Sequence, residues 1–279
     1  MNKYMDNNMN NYMDNNMENN MENYMDNYMD NYMNNYDSYN KKIVYNFVLG
    51  DGGISDCIKF FMFVLESCIK NNTQLYYKIN NIQIEKYIKL KYDKMYIDEN
   101  TIKQLDCITI VTPCMFYSTI NYNYSININE VFYFTDEVII NSKTLFPKDI
   151  TNFNYISIHL RLGDKYLETD TNYILCVNDT RDFVEANIYK CIEDNYNKNV
   201  FFCCDNNTYK NKIKIKYNNI IITHCDIGHT SLFNTTQEQI LDAITEFYIL
   251  TQSAIIYAGS HSGFSIIASK FINIPLINI

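Results

Sequence analysis

The chain has 279 residues, 47% of them hydrophobic, which is enough for one large domain or two smaller ones with a substantial core. Its formal net charge is −9, and the first forty residues carry most of it, with seven acidic side chains and one lysine. This acidic balance, without a stripe of basic residues, excludes a general nucleic-acid binder.

The cysteine pattern indicates a reducing compartment, and the hydropathy pattern concerns export and membrane insertion. The nine cysteines are scattered and odd in number, and they form no C-x-x-C pair, so neither a disulfide framework nor a zinc site is indicated. No basic-then-apolar leader and no apolar stretch of about 18 residues occurs, so neither a signal peptide nor a membrane span is expected. We therefore expect a cytoplasmic protein.

Residues 1–40 form a low-complexity repeat in which Met occupies every fourth position from Met1 to Met33. A four-residue period overshoots the 3.6-residue helical turn, and the intervening Asn is a poor helix former. We interpret this segment as a disordered or weakly helical tail. The alternative is a self-associating segment rich in Asn and Tyr.

From Lys41 onward, β-rich runs alternate with helical patterns. A Thr235-x-x-Glu238 capping box predicts the start of one strong helix. Strands separated by helices predict parallel βαβ units, hence an α/β fold with two Rossmann-like domains behind the tail, at 41–150 and 151–279. The predicted strands lie at 42–49, 74–79, 107–111, 131–134, 155–160, 200–204, 220–225, 254–258 and 275–279, and the predicted helices at 54–69, 180–195, 236–252 and 263–271.

A glycine-rich turn follows the first predicted strand and opens the first helix. Glycine permits positive φ and lets a ligand approach the backbone closely. Ser55 stands where a dinucleotide-binding loop has its third glycine, so NAD binding is poorly supported. The loop is therefore either a tight turn or the border of a phosphate or acceptor cleft. Its residues are Gly50, Asp51, Gly52 and Gly53.

The stretch ISIHLRLGDKY, residues 156–166, places Arg161 where a strand is predicted to end. The chain has 21 lysines but only two arginines, Arg161 and Arg181. An arginine at this position therefore indicates a need for a planar group that donates two hydrogen bonds to a phosphate at once. The alternative is a structural ion pair between Arg161 and Asp164. His159 lies on the same strand face, either towards a ligand or as a core residue.

Two further strand ends carry polar side chains. Asp205 directly follows the strand at 200–204, where it either accepts from a ribose or base amino group or caps the next helix. The segment 258–271, AGSHSGFSIIASKF, passes at once from a strand into a helix, whose N-terminal N–H groups predict an anion site. Simple N-capping by a serine is the alternative. The candidate donor-binding residues of this segment are Ser260, His261, Ser262, Gly263 and Phe264.

Several familiar catalytic motifs are missing from the sequence. No D-x-D, H-E-x-x-H or P-loop occurs, so neither a metal-carried diphosphate nor an ATPase is indicated, and we expect neither a metal nor a cofactor. A G-x-S-x-G elbow is absent as well, which argues against Ser-His-Asp hydrolysis.

Taken together, these segments resemble the fucosyltransferase superfamily of α1,2-, α1,6- and protein O-fucosyltransferases. SIHLRLGDKY looks like the H-x-R motif of that superfamily, and FVLGDGGISDCIKFFMFV resembles its glycine-rich loop and helix. VFFCCDNN resembles its strand ending in Asp, and DAITEFYILTQSAIIYAGSHSGFSIIASKF its late helix, strand and serine-rich loop. The low-glycine composition, rich in Asn, Ile, Lys and Tyr, is typical of AT-rich genomes such as those of large viruses or parasites.

The resemblance implies a two-domain GT-B-type fold and an inverting, metal-independent transfer of fucose from GDP-fucose to a glycan hydroxyl. It implies catalytic roles for Arg161 and His159, with the other candidates binding the donor or bordering the cleft. Leu162 stands where the α1,2- and α1,6-enzymes have a second arginine, which leaves the linkage open. Another nucleotide-sugar transferase and an inactive sugar-binding relative remain as alternatives. Candidates for the general base are Asp51, Asp56 and Asp164.

Overall fold

The computed structural model describes residues 28–115, 123–145, 153–168, 179–225 and 227–279. Within them the chain forms two parallel β-sheets and one small antiparallel pair of strands. The predicted α/β architecture with two Rossmann-like sheets is confirmed. Across the described parts of the chain, no helix has the length and apolar character that a membrane span requires.

The first sheet has four parallel strands in the order β4-β2-β1-β5. Helix α2 (Ile54–Lys70) follows β1 and packs against the sheet. Strand β1 stops at Tyr45, four residues before the end of the predicted strand, because Val48 and Asp51 close a turn with reciprocal hydrogen bonds. The strands of this sheet are β1 (Lys41–Tyr45), β2 (Thr73–Lys78), β4 (Tyr96–Ile97) and β5 (Ile108–Val111).

The strand predicted at 131–134 does not join either parallel sheet. It forms β6 (Phe132–Phe134), which pairs antiparallel with β3 (Ile88–Leu90). The short β-rich run identified a strand here, but its pairing depends on the distant β3, which the sequence pattern did not show. The neighbouring helices are α3 (Glu99–Ile102), α4 (Ile128–Val131) and α5 (Asp136–Leu145).

The second sheet has five parallel strands in the order β11-β10-β7-β8-β9, with the fully buried β7 at its centre. Its strands are β7 (Tyr155–Leu160), β8 (Asn199–Cys204), β9 (Ile220–Ile221), β10 (Ile256–Ala258) and β11 (Leu276–Asn278). Its helices are α6 (Glu185–Asp194), α7 (Asn207–Lys216), α8 (Gln237–Thr251) and α9 (Gly263–Phe271).

Three predicted boundaries in this half are wrong. Helix α6 begins at Glu185 rather than at 180, because the residues before it pair with the loop after β7. Strand β9 has two residues rather than six. Helix α8 is capped one position later than predicted: Thr236 caps it with Gln239, while the hydroxyl of Thr235 donates to the carbonyl of His229.

One continuous hydrophobic core joins the two sheets. Aromatic residues of the first half, such as Tyr45 and Phe61, belong to the same buried cluster as Phe201 and Phe247 of the second. A separate cluster covers the other face of the second sheet. The two halves are therefore joined by packing between their helices, α2 on α9 and α5 on α8.

The last units of the repeat are folded, which corrects the predicted tail over that part. Residues 28–35 are helical and form α1. Its buried side chains follow the spacing i, i+3, i+4, i+7, so alternating Met and Tyr make one apolar face that the Met period alone concealed. Residues 1–27 lie outside the described part, where the tail stays a prediction. The buried residues are Met29, Tyr32, Met33 and Tyr36.

Candidate functional site

A cavity of about 710 Å³ lies between the carboxyl end of β1 in the first sheet and the carboxyl ends of β7 and β8 in the second. Ligands of parallel α/β sheets bind at this end of the strands. The cavity collects residues from both halves of the chain, including most of those predicted from the sequence. The predicted residues that line it are Gly50, Asp51, Gly52, Gly53, His159, Arg161, Asp205, His261, Ser262, Gly263 and Phe264, together with the base candidates Asp56 and Asp164.

Arg161 lies directly after β7 and projects its guanidinium into the cavity wall. Its Nη2 pairs with Asp164, and its Nη1 lies 2.9 Å from Oδ2 of Asp205. The ion pair weighed in the sequence as the alternative therefore exists, and a second carboxylate adds to it. The arginine side chain keeps 16% of its surface exposed. Because guanidinium has five N–H donors, these two pairs leave donors for a ligand.

Asp205 holds the loop that follows β7. Its Oδ1 accepts from the backbone N–H of Leu162 at 2.8 Å, and its Oδ2 accepts from that of Gly163 at 3.1 Å. With the Arg161 pair, this buried carboxylate is occupied by protein donors on both oxygens. The arrangement makes Asp205 a positioning residue for Arg161 and differs from both roles considered in the sequence. The cap of α7 is supplied instead by Asn206, whose side chain accepts from the N–H of Tyr209.

Ser260 alone among the predicted site residues does not line the cavity. Its hydroxyl accepts from the backbone N–H of Arg161 at 2.9 Å and donates to the carbonyl of Arg161 at 2.8 Å. This reciprocal pair fastens the end of β10 to the end of β7. The hydroxyl proton is thereby committed to the protein, and Ser260 fixes the backbone of Arg161 rather than facing the cavity.

His159 is a buried imidazole beneath Arg161. It stacks on the ring of Phe264 with centroids 5.3 Å apart, and Phe264 in turn packs edge-on against Phe247. Burial, with the charge of Arg161 second, lowers the pKa of His159 to about 3, so the ring is neutral at physiological pH. Its Nδ1 has no hydrogen-bond partner among the described residues. A neutral ring at this place adds no charge to the cavity wall.

The N-termini of α2 and α9 meet at the cavity. A Cβ added to Gly263, the first residue of α9, would lie 3.3 Å from Oγ of Ser55 in the first turn of α2. Ser262 caps α9 by accepting from the N–H of Phe264. The N–H groups of Gly53, Ile54 and Phe264 at these helix starts already donate to protein side chains. The positive end of both helix dipoles still points towards this space, which favours an anion there.

The loop before α8 was not predicted as part of the site, yet it closes one wall. Thr230 Oγ1 accepts from the N–H of Ile54 at 3.0 Å and so ties this loop to the start of α2. Ser231 N donates to Nδ1 of His229 at 3.3 Å, and the Ser231 hydroxyl lies 2.6 Å from the same nitrogen. Burial and then the charge of Arg161 lower the pKa of His229. The sequence signal was GHTS at 228–231, similar in composition to GSHSG at 259–263.

A buried ion pair lies behind the cavity wall. Lys210 of α7, with no exposed surface, donates to Oε1 of Glu246 at 2.9 Å and to Thr223 at 3.0 Å. Glu246 belongs to α8 and lines the cavity, and its Oε2 accepts from the thiol of Cys203 at 3.3 Å. Burial acts to lower the pKa of Lys210, but Glu246 and the neighbouring thiols together raise it above its ordinary value. The lysine therefore stays charged and neutralises Glu246.

The cavity carries more acidic than basic side chains, yet each carboxylate already has a protein partner. Asp56, for example, caps α2 at the N–H of Gly53 and pairs with Lys59 at 2.6 Å. Among the described residues, no group of three or more His, Cys, Asp or Glu side chains is placed to hold a metal ion. The carboxylates that line the cavity are Asp51, Asp56, Asp164, Asp179, Asp205 and Glu246, and its cations are Lys59, Arg161 and Arg181.

The fold is similar to that of fucosyltransferases of known structure. NodZ α1,6-fucosyltransferase co-crystallised with GDP aligns with a TM-score of 0.56 at 11% sequence identity, over 82% of this chain and 91% of the NodZ chain. NodZ soaked with GDP-fucose gives the same TM-score and identity over 83% and 93% of the two chains. NodZ has also been solved from Bradyrhizobium. At this identity the similarity shows the GT-B-type fold.

A plant enzyme gives the same result. An arginine-to-lysine variant of Arabidopsis thaliana FUT1 in complex with GDP aligns with a TM-score of 0.52 at 10% identity, over 85% of this chain and 70% of that one. No protein-family model and no curated protein sequence matches the chain. The chain thus has the two-sheet GT-B fold of fucosyltransferases, although neither sequence comparison finds a match to it.

Proposed function

We propose that this protein, whose fold is that of GT-B fucosyltransferases, is an inverting, metal-independent transferase that moves fucose from GDP-fucose to a glycan hydroxyl. The observation that carries the proposal is the meeting of Arg161 with the N-termini of α2 and α9 at one cavity between the two sheets. NodZ, whose fold is similar, has been co-crystallised with GDP and soaked with GDP-fucose.

The chemistry requires that negative charge on the leaving diphosphate be stabilised as the bond to the sugar breaks. Arg161 and the N–H groups at the start of α9 are fixed in place before any ligand arrives, because Asp205 and Ser260 hold the loop around Arg161. Donors that are already oriented stabilise developing charge without further rearrangement. The neutral His159 supports this arrangement without competing for the phosphate.

For the general base we propose Asp51, one of the three carboxylates considered in the sequence. Asp56 is engaged by its cap and by Lys59, and Asp164 is engaged by Arg161. Asp51 accepts from the backbone N–H of Val48 and lines the cavity from the first half, across from the second-half Arg161. In the transfer, the acceptor oxygen bonds to the anomeric carbon, its proton passes to the carboxylate, and GDP leaves with the bonding pair.

The test is to incubate the purified protein with GDP-fucose, GDP-mannose and UDP-sugars, each with a panel of glycan acceptors, and to measure release of the nucleoside diphosphate and formation of the glycan product. We expect transfer from GDP-fucose, and loss of it in Asp51→Asn. Preferred transfer from another nucleotide sugar would overturn the donor assignment.

A second function is favoured by the two carboxylates that pair with Arg161, since they offset the charge needed for catalysis. A catalytically inactive sugar-nucleotide-binding relative would have the same fold and cavity. It predicts binding of GDP-fucose, seen as an increase in melting temperature, without turnover on any acceptor. The same incubation therefore separates the two functions.

A further inference from the structure

Both arginines of the chain lie at the same cavity. Arg161 enters it from the end of β7, and Arg181 enters it from the segment that precedes α6. The remaining 21 basic residues are lysines, and of these Lys59 is the one that lines the cavity within the described residues. Guanidinium differs from ammonium in presenting a planar fork that fits two phosphate oxygens at once.

Backbone hydrogen bonds fix Arg181 beside the loop that carries Arg161. The N–H of Arg181 donates to the carbonyl of Leu162 at 2.9 Å, and that of Lys165 donates to the carbonyl of Asp179 at 3.2 Å. Gly163 lies between, at φ +110°, and an added Cβ would lie 2.4 Å from the carbonyl oxygen of Asp179. The segment at 179–181 therefore runs close against the loop after β7.

The side chains of Leu162 and Arg181, whose backbones are joined by a hydrogen bond, lie in different surroundings. Leu162 is buried in the hydrophobic cluster on the far face of the second sheet, so the residue next to Arg161 in sequence contributes nothing to the cavity. Arg181, its neighbour in space, lines the cavity and keeps 43% of its side-chain surface exposed. The second guanidinium thus comes from a different part of the chain.

The two arginines differ in how much of their charge remains for a ligand. Arg161 pairs with both Asp164 and Asp205 and is largely enclosed. Arg181 has an ion pair with Asp179 at 3.3 Å, a longer contact at an exposed position, where such pairs are weak. Protein carboxylates therefore compete less with an incoming anion at Arg181 than at Arg161.

We propose that Arg181 is a second phosphate-binding residue, which contacts the diphosphate of the nucleotide together with Arg161. This inference rests on the proposed use of a nucleoside diphosphate sugar. Arg161 is already paired with two carboxylates, so it neutralises the negative charge of a diphosphate only in part. Arg181 would neutralise the remainder. Nucleoside binding without phosphates gains nothing from this contact.

The experiment compares dissociation constants for GDP and for guanosine, the latter measured by competition, in wild type, Arg181→Gln and Arg181→Lys. The matched control is Lys212→Gln, which removes one positive charge from an exposed ion pair in the same half, outside the cavity. Loss of a charge-assisted hydrogen bond corresponds to about tenfold to a hundredfold in affinity. We expect that loss for GDP in Arg181→Gln, a smaller loss in Arg181→Lys, and unchanged guanosine binding in both.

Equal weakening of GDP and guanosine in Arg181→Gln, or no weakening of either, would overturn the role of Arg181. Unchanged melting temperatures of the unliganded variants show that they are folded. If wild type prefers UDP to GDP, the proposed donor is wrong, and the same comparison made with UDP and uridine decides on Arg181 separately. Absence of binding to any nucleoside diphosphate would overturn both proposals.

Discussion

Oδ2 of Asp205 lies 2.9 Å from Nη1 of Arg161, and the same carboxylate accepts from the two backbone N–H groups that follow that arginine. Two elements far apart in the sequence, the end of β7 and the end of β8, are joined by this one buried side chain. Orientation of the arginine therefore depends on Asp205 as much as on its own strand.

Replacing Asp205 by Asn removes the charge from this junction. We expect the variant to lose about 1–3 kcal/mol of unfolding free energy, the usual cost of weakening a buried charged hydrogen bond, and to bind GDP more weakly because Arg161 loses its fixed orientation. Denaturant unfolding and GDP titration measure the two effects. Asp194→Asn, at an exposed position, is the control and should change neither. Wild-type GDP affinity in Asp205→Asn would contradict the positioning role.

Arg161→Lys keeps the charge but loses the planar fork. Since the guanidinium is held by two carboxylates in a defined plane, a single ammonium cannot satisfy both and still donate to a phosphate. We expect the rate of transfer from GDP-fucose to fall on the order of 10²-fold, as when one donor to a developing oxyanion is removed. Full activity in this variant would show that the planar geometry is not needed.

His159 makes stability depend on pH in a direction that follows from its low pKa. The imidazole of His159 takes up a proton near pH 6.5 in the unfolded chain, but only near pH 3 in the folded chain, where its pKa is about 3. Between these two pH values, the chain therefore takes up a proton when it unfolds. Stability therefore falls as pH falls through this window, by about 1.4 kcal/mol per pH unit.

The measurement is urea unfolding at pH 7 and at pH 5 for wild type and His159→Gln. We expect wild type to lose about 2 kcal/mol more than the variant over this interval, because glutamine does not titrate. His261→Gln, at an exposed position, serves as the control and should follow wild type. Parallel losses in wild type and His159→Gln would mean that other groups account for the pH dependence.

The Lys210–Glu246 pair and the Lys212–Glu185 pair allow a comparison on one helix, since both lysines belong to α7. Lys210→Met leaves the Glu246 carboxylate buried without its counter-ion, and we expect a loss of about 3–5 kcal/mol. Lys212→Met breaks an exposed pair and should cost much less, because solvent screens such pairs.

Chemical denaturation of the two single variants and of the Lys210→Met/Glu246→Leu double variant tests this difference. The double variant should recover part of the loss, because no unpaired charge remains. If the two single variants lose the same unfolding free energy, the buried pair stabilises the fold no more than the exposed pair does.

The repeat makes its own contribution to stability through α1. The hydroxyl of Tyr32 donates to the carbonyl of Thr73 at 2.8 Å and accepts from the N–H of Leu75, so it binds directly to β2. We expect Tyr32→Ala to cost about 3–5 kcal/mol, the usual range for truncating a large buried side chain. The exposed Asn34→Ala should leave the unfolding free energy unchanged. A negligible effect of Tyr32→Ala would mean that α1 does not support the sheet.

The sequence predicted most of the elements because hydrophobic periodicity is a local property. It also predicted which strand ends line the cavity, since parallel strands place their carboxyl ends on one edge. Arg181 and the GHTS loop were missed, because they lie in irregular segments whose position depends on distant contacts. Arg181 did carry a signal, as one of only two arginines, but nothing local connected it with Leu162.

Glu246 was missed for a different reason. The pattern of α8 was interpreted through its apolar side chains, and a single glutamate among them was left unexplained. A charge on the buried face of a helix requires a partner. In this chain the partner, Lys210, is supplied by another helix, and the sequence contains no mark that pairs the two. Such long-range pairings are fixed by tertiary packing alone.

The hydrogen bond from the N–H of Ile54 to Thr230 crosses from the first helix of one half to the loop before α8 in the other. Because the same two segments form walls of the cavity, and one core runs beneath both sheets, separating the halves would dismantle the cavity and open the core in a single event. Binding of the proposed nucleotide in this cavity would therefore be thermodynamically linked to global unfolding. A saturating nucleotide should slow hydrogen exchange in the deepest strands of both sheets alike, including β2, which contributes no residue to the cavity.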